Sequence, residues 1–269
     1  MESHINLENS KALQAFSHLL GIMDELRKEC PWAQKQTIKS LRYLTIEEVF
    51  ELSEAILEND IESIKKELGD LLFHIVFYTI IVDKQWAFTI TNVIQELCEK
   101  LMYRNPHIYG QEQARDIQVT QQNREKLKLK EKGNNSVLGG IPNMLPSLIK
   151  AMRIQEKVSM IGLDWQNKEE VWHRIQKAMQ PLMHETKAKI TDPQKLENEF
   201  GDLLFALVHY ARFVNVNAEN ALEEANKKFI HHFQHVEQQA AEQGKQLSQL
   251  SAEELMSYWE KTKQQASFE

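Results

Sequence analysis

The chain has 269 residues, 42% apolar and 26% charged, which is a globular composition with length for one large domain or two of ordinary size. Its 32 Lys and Arg stand against 39 Asp and Glu, and a net charge of −7 argues against a general nucleic-acid binder or a membrane-surface protein. Two cysteines, Cys30 and Cys98, make neither a disulfide framework nor a metal-ligand spacing, so a reducing cytoplasm is the expected compartment.

The N-terminal Met-Glu-Ser-His-Ile has no basic segment ahead of an apolar core, so no signal peptide is expected. Nine Gly and six Pro are few, and no run of β-branched alternation occurs, so the chain reads as all-α. A first helix is expected over Ser10 to Lys28, with Leu13, Phe16, Leu19, Leu20, Met23 and Leu26 at helical spacing and Pro31 beyond its end. We read it as a core helix.

Two acidic clusters follow on neighbouring helical segments. Glu48 and Glu51 are three apart, as are Glu67 and Asp70, so each pair lies one turn apart on one side of its helix. Antiparallel packing of the two helices would bring four carboxylates together. On a helical wheel Glu47, Glu51, Glu54 and Glu58 lie opposite Val49, Leu52, Ser53 and Ile56, which taken alone is the pattern of a solvated face. Sign counts against that reading, because no basic residue occurs between Arg42 and Lys65, whereas solvated faces usually mix charges.

From Leu68 to Val82 the chain is apolar on nearly all sides, a pattern that predicts burial, yet Glu67 and Asp70 share a side with His74, Phe77 and Ile81. Two carboxylates about 4 Å apart repel by roughly 4 kcal/mol at a dielectric near 20, before desolvation. A cation must compensate them. No Lys or Arg lies between Lys66 and Lys84, and clustered hard oxygen ligands suit Mg²⁺ or Mn²⁺. The apolar run is too short, and too interrupted by His74 and Thr79, to span a bilayer.

Thr89 to Tyr103 is amphipathic and ends before Pro106, with Lys100 and Arg104 sharing a side. The charge run Arg124 to Lys132 reads as a solvated helix end. Gly133 to Ser136 and Gly139 to Pro142 break it, and the domain boundary is expected there. Beyond lies an internal repeat: Glu199-Phe200-Gly201-Asp202-Leu203-Leu204-Phe205 restates Glu67-Leu68-Gly69-Asp70-Leu71-Leu72-Phe73 at an offset of 132 residues, 199 less 67. The expected organisation is therefore a first unit 1–132, a linker 133–147 and a second unit 148–269. In the second unit Lys177-Ala178-Met179-Gln180-Pro181 stands where the acidic quintet belongs. Only Glu199 and Asp202 remain of the box, and Pro181 should disturb the helix. Glu185 is out of register as a substitute. His231, His232 and His235 read as a surface run rather than a metal site.

Glu-Glu-x-x-Glu followed by Glu-x-x-Asp resembles the signature of the MazG-like nucleoside triphosphate pyrophosphohydrolases. Further likeness lies in Cys30-Pro31-Trp32 with Gln36-Thr37, Arg104-Asn105-Pro106-His107, Ser136-Val137-Leu138 and Ile141-Pro142 with Leu145-Pro146, so it covers nearly the whole chain. The resemblance implies two tandem helical bundle units completed by homodimerisation. It implies a Mg²⁺-dependent enzyme, Mn²⁺ being an alternative, that converts nucleoside triphosphate and water to the monophosphate and pyrophosphate. Glu48, Glu51, Glu67 and Asp70 would hold metal, Lys100 and Arg104 the substrate phosphates, and Glu47 is assigned to orient or deprotonate the attacking water. Lys228, Trp259 and Lys263 match positions that lie against the nucleotide in the family, although His232 stands in place of the usual Arg. Ala33 and Ile38 replace the usual Asp and His, and no Trp-led tail follows the first unit. These departures motivate an alternative: a nucleotide-binding or regulatory protein of the same fold with impaired turnover.

Overall fold

The computed structural model describes residues 2–86, 88–110, 127, 136–163, 167–187 and 192–266, with side chains over the same residues except 2–7, 83–86 and 262–266. Among the described residues there are eleven α-helices and one 3-10 turn, and no strand. No described helix is long and apolar enough to cross a membrane. The chain divides into two compact units, Met1–Ala114 and Arg115–Glu269. Of the segment expected as a linker, residues 136–146 form turns without helix, whereas the charge run 124–132 lies outside the described residues apart from Leu127.

The first unit holds α1 (Glu2–Glu29), α2 (Pro31–Lys35), α3 (Ile38–Glu58), α4 (Ile61–Trp86), α5 (Ile90–Arg104) and α6 (Pro106–Tyr109). Helix α1 starts eight residues before the expected Ser10, since neither Gly nor Pro interrupts residues 2–9. Its Met23 is buried with Ala33 of α2, Leu41 of α3 and Val76, Phe77 and Ile81 of α4. Full burial of a side chain the size of Phe77 contributes about 1.5–3 kcal/mol. The Cys-Pro-Trp motif serves this core: Pro31 opens α2, and Trp32 stacks on Phe77 at 6.1 Å between ring centroids. Arg27 lies over the same ring at 5.7 Å and donates to the carbonyls of Ala33 and Gln36, which ties the end of α1 to α2.

The Gln36-Thr37 motif starts α3. Thr37 Oγ1 accepts from the Ser40 amide at 3.1 Å and Ser40 Oγ accepts from the Thr37 amide at 2.8 Å, a reciprocal cap. At the other end Asn59 takes the left-handed conformation, φ 55°, that lets the chain reverse in two residues. Asp60 then caps α4 through the amides of Glu62 and Ser63, both at 3.1 Å. So short a turn forces α3 and α4 antiparallel.

The expectation that α4 is buried on all sides is corrected in part. Glu67, His74, Val76, Phe77, Thr79, Ile81 and Val82 are buried, but Leu68, Leu72 and Ile75 are exposed in the isolated chain, at 54%, 38% and 48%. Within one unit α1 and α3 leave that stripe uncovered.

The second unit holds α7 (Ser147–Met160), α8 (Lys168–Thr186), α9 (Pro193–Phe213), α10 (Ala218–Glu242), a 3-10 turn (Leu247–Gln249) and α11 (Ala252–Ala266). Helices α8 and α9 repeat the α3–α4 pair, and buried Gln155 of α7 donates to the Phe205 carbonyl of α9 at 2.8 Å. Val236 and Ala240 of α10 pack with Tyr258 of α11 in a separate small core. The disturbance expected at Pro181 does not interrupt α8, which runs through it. Proline removes the amide that would have bonded the Lys177 carbonyl, and the remaining turns hold the helix.

Candidate metal centre

Antiparallel register places Glu48 of α3 against Glu67 and Asp70 of α4. The register is marked where Thr45, near the start of α3, meets Tyr78, near the end of α4, with hydroxyl oxygens 2.7 Å apart. One turn further along α3, each of Glu48, Glu67 and Asp70 offers a carboxylate oxygen within 4.8 Å of the others. Glu67 is buried, 4% exposed, while Glu48 and Asp70 are half-buried.

The electrostatics of this cluster are unfavourable as it stands. Burial pushes the Glu48 carboxyl above the usual carboxylate range, and the charges of Asp70, Glu51 and Glu67 push it further the same way. Glu67 Oε1 accepts from Lys66 Nζ at 2.7 Å, but Glu67 Oε2 is buried with no hydrogen-bond partner. An acceptor in that position is costly unless a cation or a proton meets it. Three hard oxygen donors converging around an orphaned carboxylate oxygen fit Mg²⁺ or Mn²⁺ better than a soft metal. His74, buried one turn beyond Asp70, is driven toward its neutral form by burial, with Asp70 opposing. Its Nδ1 has no partner, and its ring lies against Phe73 at 5.4 Å.

The other acidic residues lie around this triad. Glu51 is exposed and outside the three-oxygen cluster, although its charge acts on both Glu48 and Lys66. Glu47 is exposed on α3. Lys100, exposed, and Arg104, half-buried, stand one turn apart on α5. Lys66 is the residue that sequence reasoning passed over: it marks only the upstream limit of a stretch without Lys or Arg in that reading, yet it joins Glu67 and reaches Asp70 at 3.8 Å. Its i, i+4 spacing to Asp70 was the available signal.

In the second unit the corresponding place is a groove of about 430 Å³ between α8 and α9. Arg174, Lys177, Ala178 and Pro181 face Glu199 and Asp202 across it. Among the described residues no cluster of three or more potential ligands forms there. Glu185, out of register as a ligand, is instead buried in the last turn of α8. It accepts from Lys195 Nζ at 2.7 Å and from the Asp192 amide at 3.1 Å, and both bonds hold its carboxyl below the usual range. Lys195 is thereby bonded directly to Glu185, while the charge of Glu199 also acts on it from a distance.

Lys228 is exposed on α10, and Trp259 of α11 is half-buried against Phe229, 4.9 Å between centroids. The side chain of Lys263 lies outside the described residues. His231 and His235 are exposed and contact edge to face at 4.5 Å on α10, whereas His232, expected in the same surface run, is half-buried with its ring 5.9 Å from that of Trp259.

Helix pairing and carboxylate cluster together define an all-α protein of two repeated units, one of them carrying a centre suited to a hard divalent cation. The model of the MazG nucleotide pyrophosphohydrolase domain matches the chain twice, over residues 36–109 and 165–237. A Thermotoga maritima protein named nucleoside triphosphate pyrophosphohydrolase/pyrophosphatase MazG is 41% identical over 92% of this chain and 95% of its own length. The nucleoside triphosphate pyrophosphohydrolase of Escherichia coli K12 is 33% identical over 94% of the chain and 98% of its own. Bacillus subtilis YabN, an uncharacterized protein, is 36% identical over 93% of the chain and 52% of its own length. The chain belongs to the MazG nucleotide pyrophosphohydrolase family, a family of hydrolases.

Proposed function

We propose that the first unit hydrolyses nucleoside triphosphates at the α-phosphorus, releasing nucleoside monophosphate and pyrophosphate, in a reaction that requires Mg²⁺ or Mn²⁺. The observation that carries this reading is the convergence of Glu48, Glu67 and Asp70 within 4.8 Å, with one buried carboxylate oxygen unpartnered. Exposed Glu51 completes the set from the rim of α3. A bound divalent ion would supply the Lewis acidity that activates water and offsets phosphate charge. Glu47, solvent-accessible on the same helix, orients the attacking water and accepts its proton. Lys100 and Arg104 neutralise the phosphates and the departing pyrophosphate.

The second unit is assigned a non-catalytic role. Lys177, Ala178 and Pro181 occupy the groove beside Glu199 and Asp202, so a divalent ion would meet two carboxylates and nearby cations. Lys228, Trp259 and Lys263 are assigned to contact nucleotide, the role that the family resemblance implies for them. Leu68, Leu72 and Ile75 recur as the exposed Phe200, Leu204 and Leu207 at the same offset of 132, which supports a homodimer that covers these stripes. We assign the units to 1–132 and 148–269 with 133–147 between them, and the enzyme to the cytoplasm, without nucleic-acid or membrane partners.

The deciding experiment separates the products formed from a panel of nucleoside triphosphates with Mg²⁺ or with EDTA. Monophosphate and pyrophosphate in equal amounts, only with Mg²⁺, are the expected result. Diphosphate and orthophosphate would refute the assigned bond, and binding without turnover would favour a regulatory nucleotide-binding role.

A further inference from the structure

Lys66 holds a position that the reading of the acidic box as a metal site does not explain. Its ammonium donates to Glu67 Oε1 at 2.7 Å and lies 3.8 Å from Asp70 Oδ2, so it bridges two of the three clustered carboxylates. Its neighbour Lys65 is spent on Glu62 outside the cluster. The Lys66 side chain is 67% exposed, whereas that of Glu67 is 6% exposed, so the ammonium reaches in from the rim and can swing back into solvent. The repeat gives a comparison. The position 132 residues on is Asn198, whose side-chain oxygen accepts from Gln194 at 3.4 Å, and in that unit a triad of ligands is absent among the described residues.

We propose that Lys66 is a displaceable counter-ion of the carboxylate box. It occupies oxygens of Glu67 and Asp70 in the metal-free protein, lowers the affinity of the box for a divalent ion by direct competition, and is released at the rim when metal loads. Three carboxylates so close together need a positive charge in either state, and Lys66 supplies it until an ion of higher charge arrives. A released ammonium at the mouth of the box is then free to meet anionic phosphate, so that loading of metal and arrival of substrate favour one another.

The inference rests on the metal-site reading, and the two are separable in one experiment. Mn²⁺ and Mg²⁺ are titrated calorimetrically into the full-length wild type, Lys66→Met, Lys66→Arg and Lys65→Met, and melting temperatures are taken in EDTA. Lys66→Met should bind metal about two- to five-fold more tightly than wild type, the scale set by losing one partly exposed ion pair. It should also melt lower in EDTA. Lys66→Arg, which keeps the charge, should not tighten binding. Lys65→Met, with the same change in net charge one residue away, should change the affinity by less than about two-fold. No metal binding by wild type would defeat the metal-site reading itself. Wild-type binding with an unchanged or weakened Lys66→Met, or an equal gain in Lys65→Met, would overturn the role of Lys66 alone.

Discussion

Tyr78 and Thr45 are 33 residues apart in sequence and join α4 to α3 through a single hydroxyl pair. Thr45 Oγ1 donates to the Leu41 carbonyl at 3.0 Å, so its proton is spent and Tyr78 is the donor across the helix pair. This bond lies one helical turn from Glu48 and fixes the register in which Glu48 meets Glu67 and Asp70. Tyr78→Phe deletes the donor alone and leaves the ring in place. It should lower unfolding stability by about 1 kcal/mol and weaken Mn²⁺ binding, both read from denaturant and metal titrations. Unchanged values would mean that apolar packing alone sets the register.

The clustered acids oppose folding when no cation meets them. Asp70→Asn should therefore melt no lower than wild type in EDTA, while wild type alone gains melting temperature with millimolar Mg²⁺ or Mn²⁺. Differential scanning fluorimetry reads both effects. A wild-type melting temperature indifferent to both ions would count against a metal centre.

Glu185 gives the second unit a pH dependence of known sign. Its folded carboxyl is held below the ordinary value of 4.5 by Lys195 and the Asp192 amide, so its contribution is complete above that value. The contribution is lost as pH falls through the depressed value. Glu185→Gln should be less stable than wild type at pH 7, with the gap closing as pH falls from 4.5 through the depressed value. Urea midpoints measured between pH 7 and pH 3 test this, and a gap that widens on acidification would contradict it.

The leftover acids of the second unit should be dispensable for turnover. Glu199→Gln, alone and with Asp202→Asn, should keep steady-state hydrolysis within about three-fold of wild type, since a charge that takes no part in the chemistry changes the barrier by well under 1.4 kcal/mol. A hundred-fold loss would place chemistry in the second unit and reverse the proposed division.

Much of this architecture was legible from residue spacing. The three-residue steps of Glu48–Glu51 and Glu67–Asp70, and the repeat that begins with Glu199 and Asp202, marked the helix pairs. Local chemistry at Thr37, Asn59 and Asp60 then fixed where those helices begin and end. What spacing could not give was depth. Glu67 and Asp70 looked equivalent, yet one is buried and the other half-exposed, because burial depends on the tilt of α4 against α3. Nor does an apolar run reveal which of its faces a single chain covers, so Leu68 and Ile75 were expected inside. Lys66 was hidden for a related reason: a long side chain on a solvated turn reaches the box only once the fold sets its direction.

The most direct test is the rate of Mg²⁺-dependent pyrophosphate release by Glu67→Gln beside wild type. The substitution keeps size and shape and removes the buried charge on which the cluster converges. Release should fall by at least about a hundred-fold, the scale lost with one essential electrostatic group, with the helical circular-dichroism signal unchanged. A folded Glu67→Gln protein that releases pyrophosphate at the wild-type rate would contradict a carboxylate metal centre in the first unit.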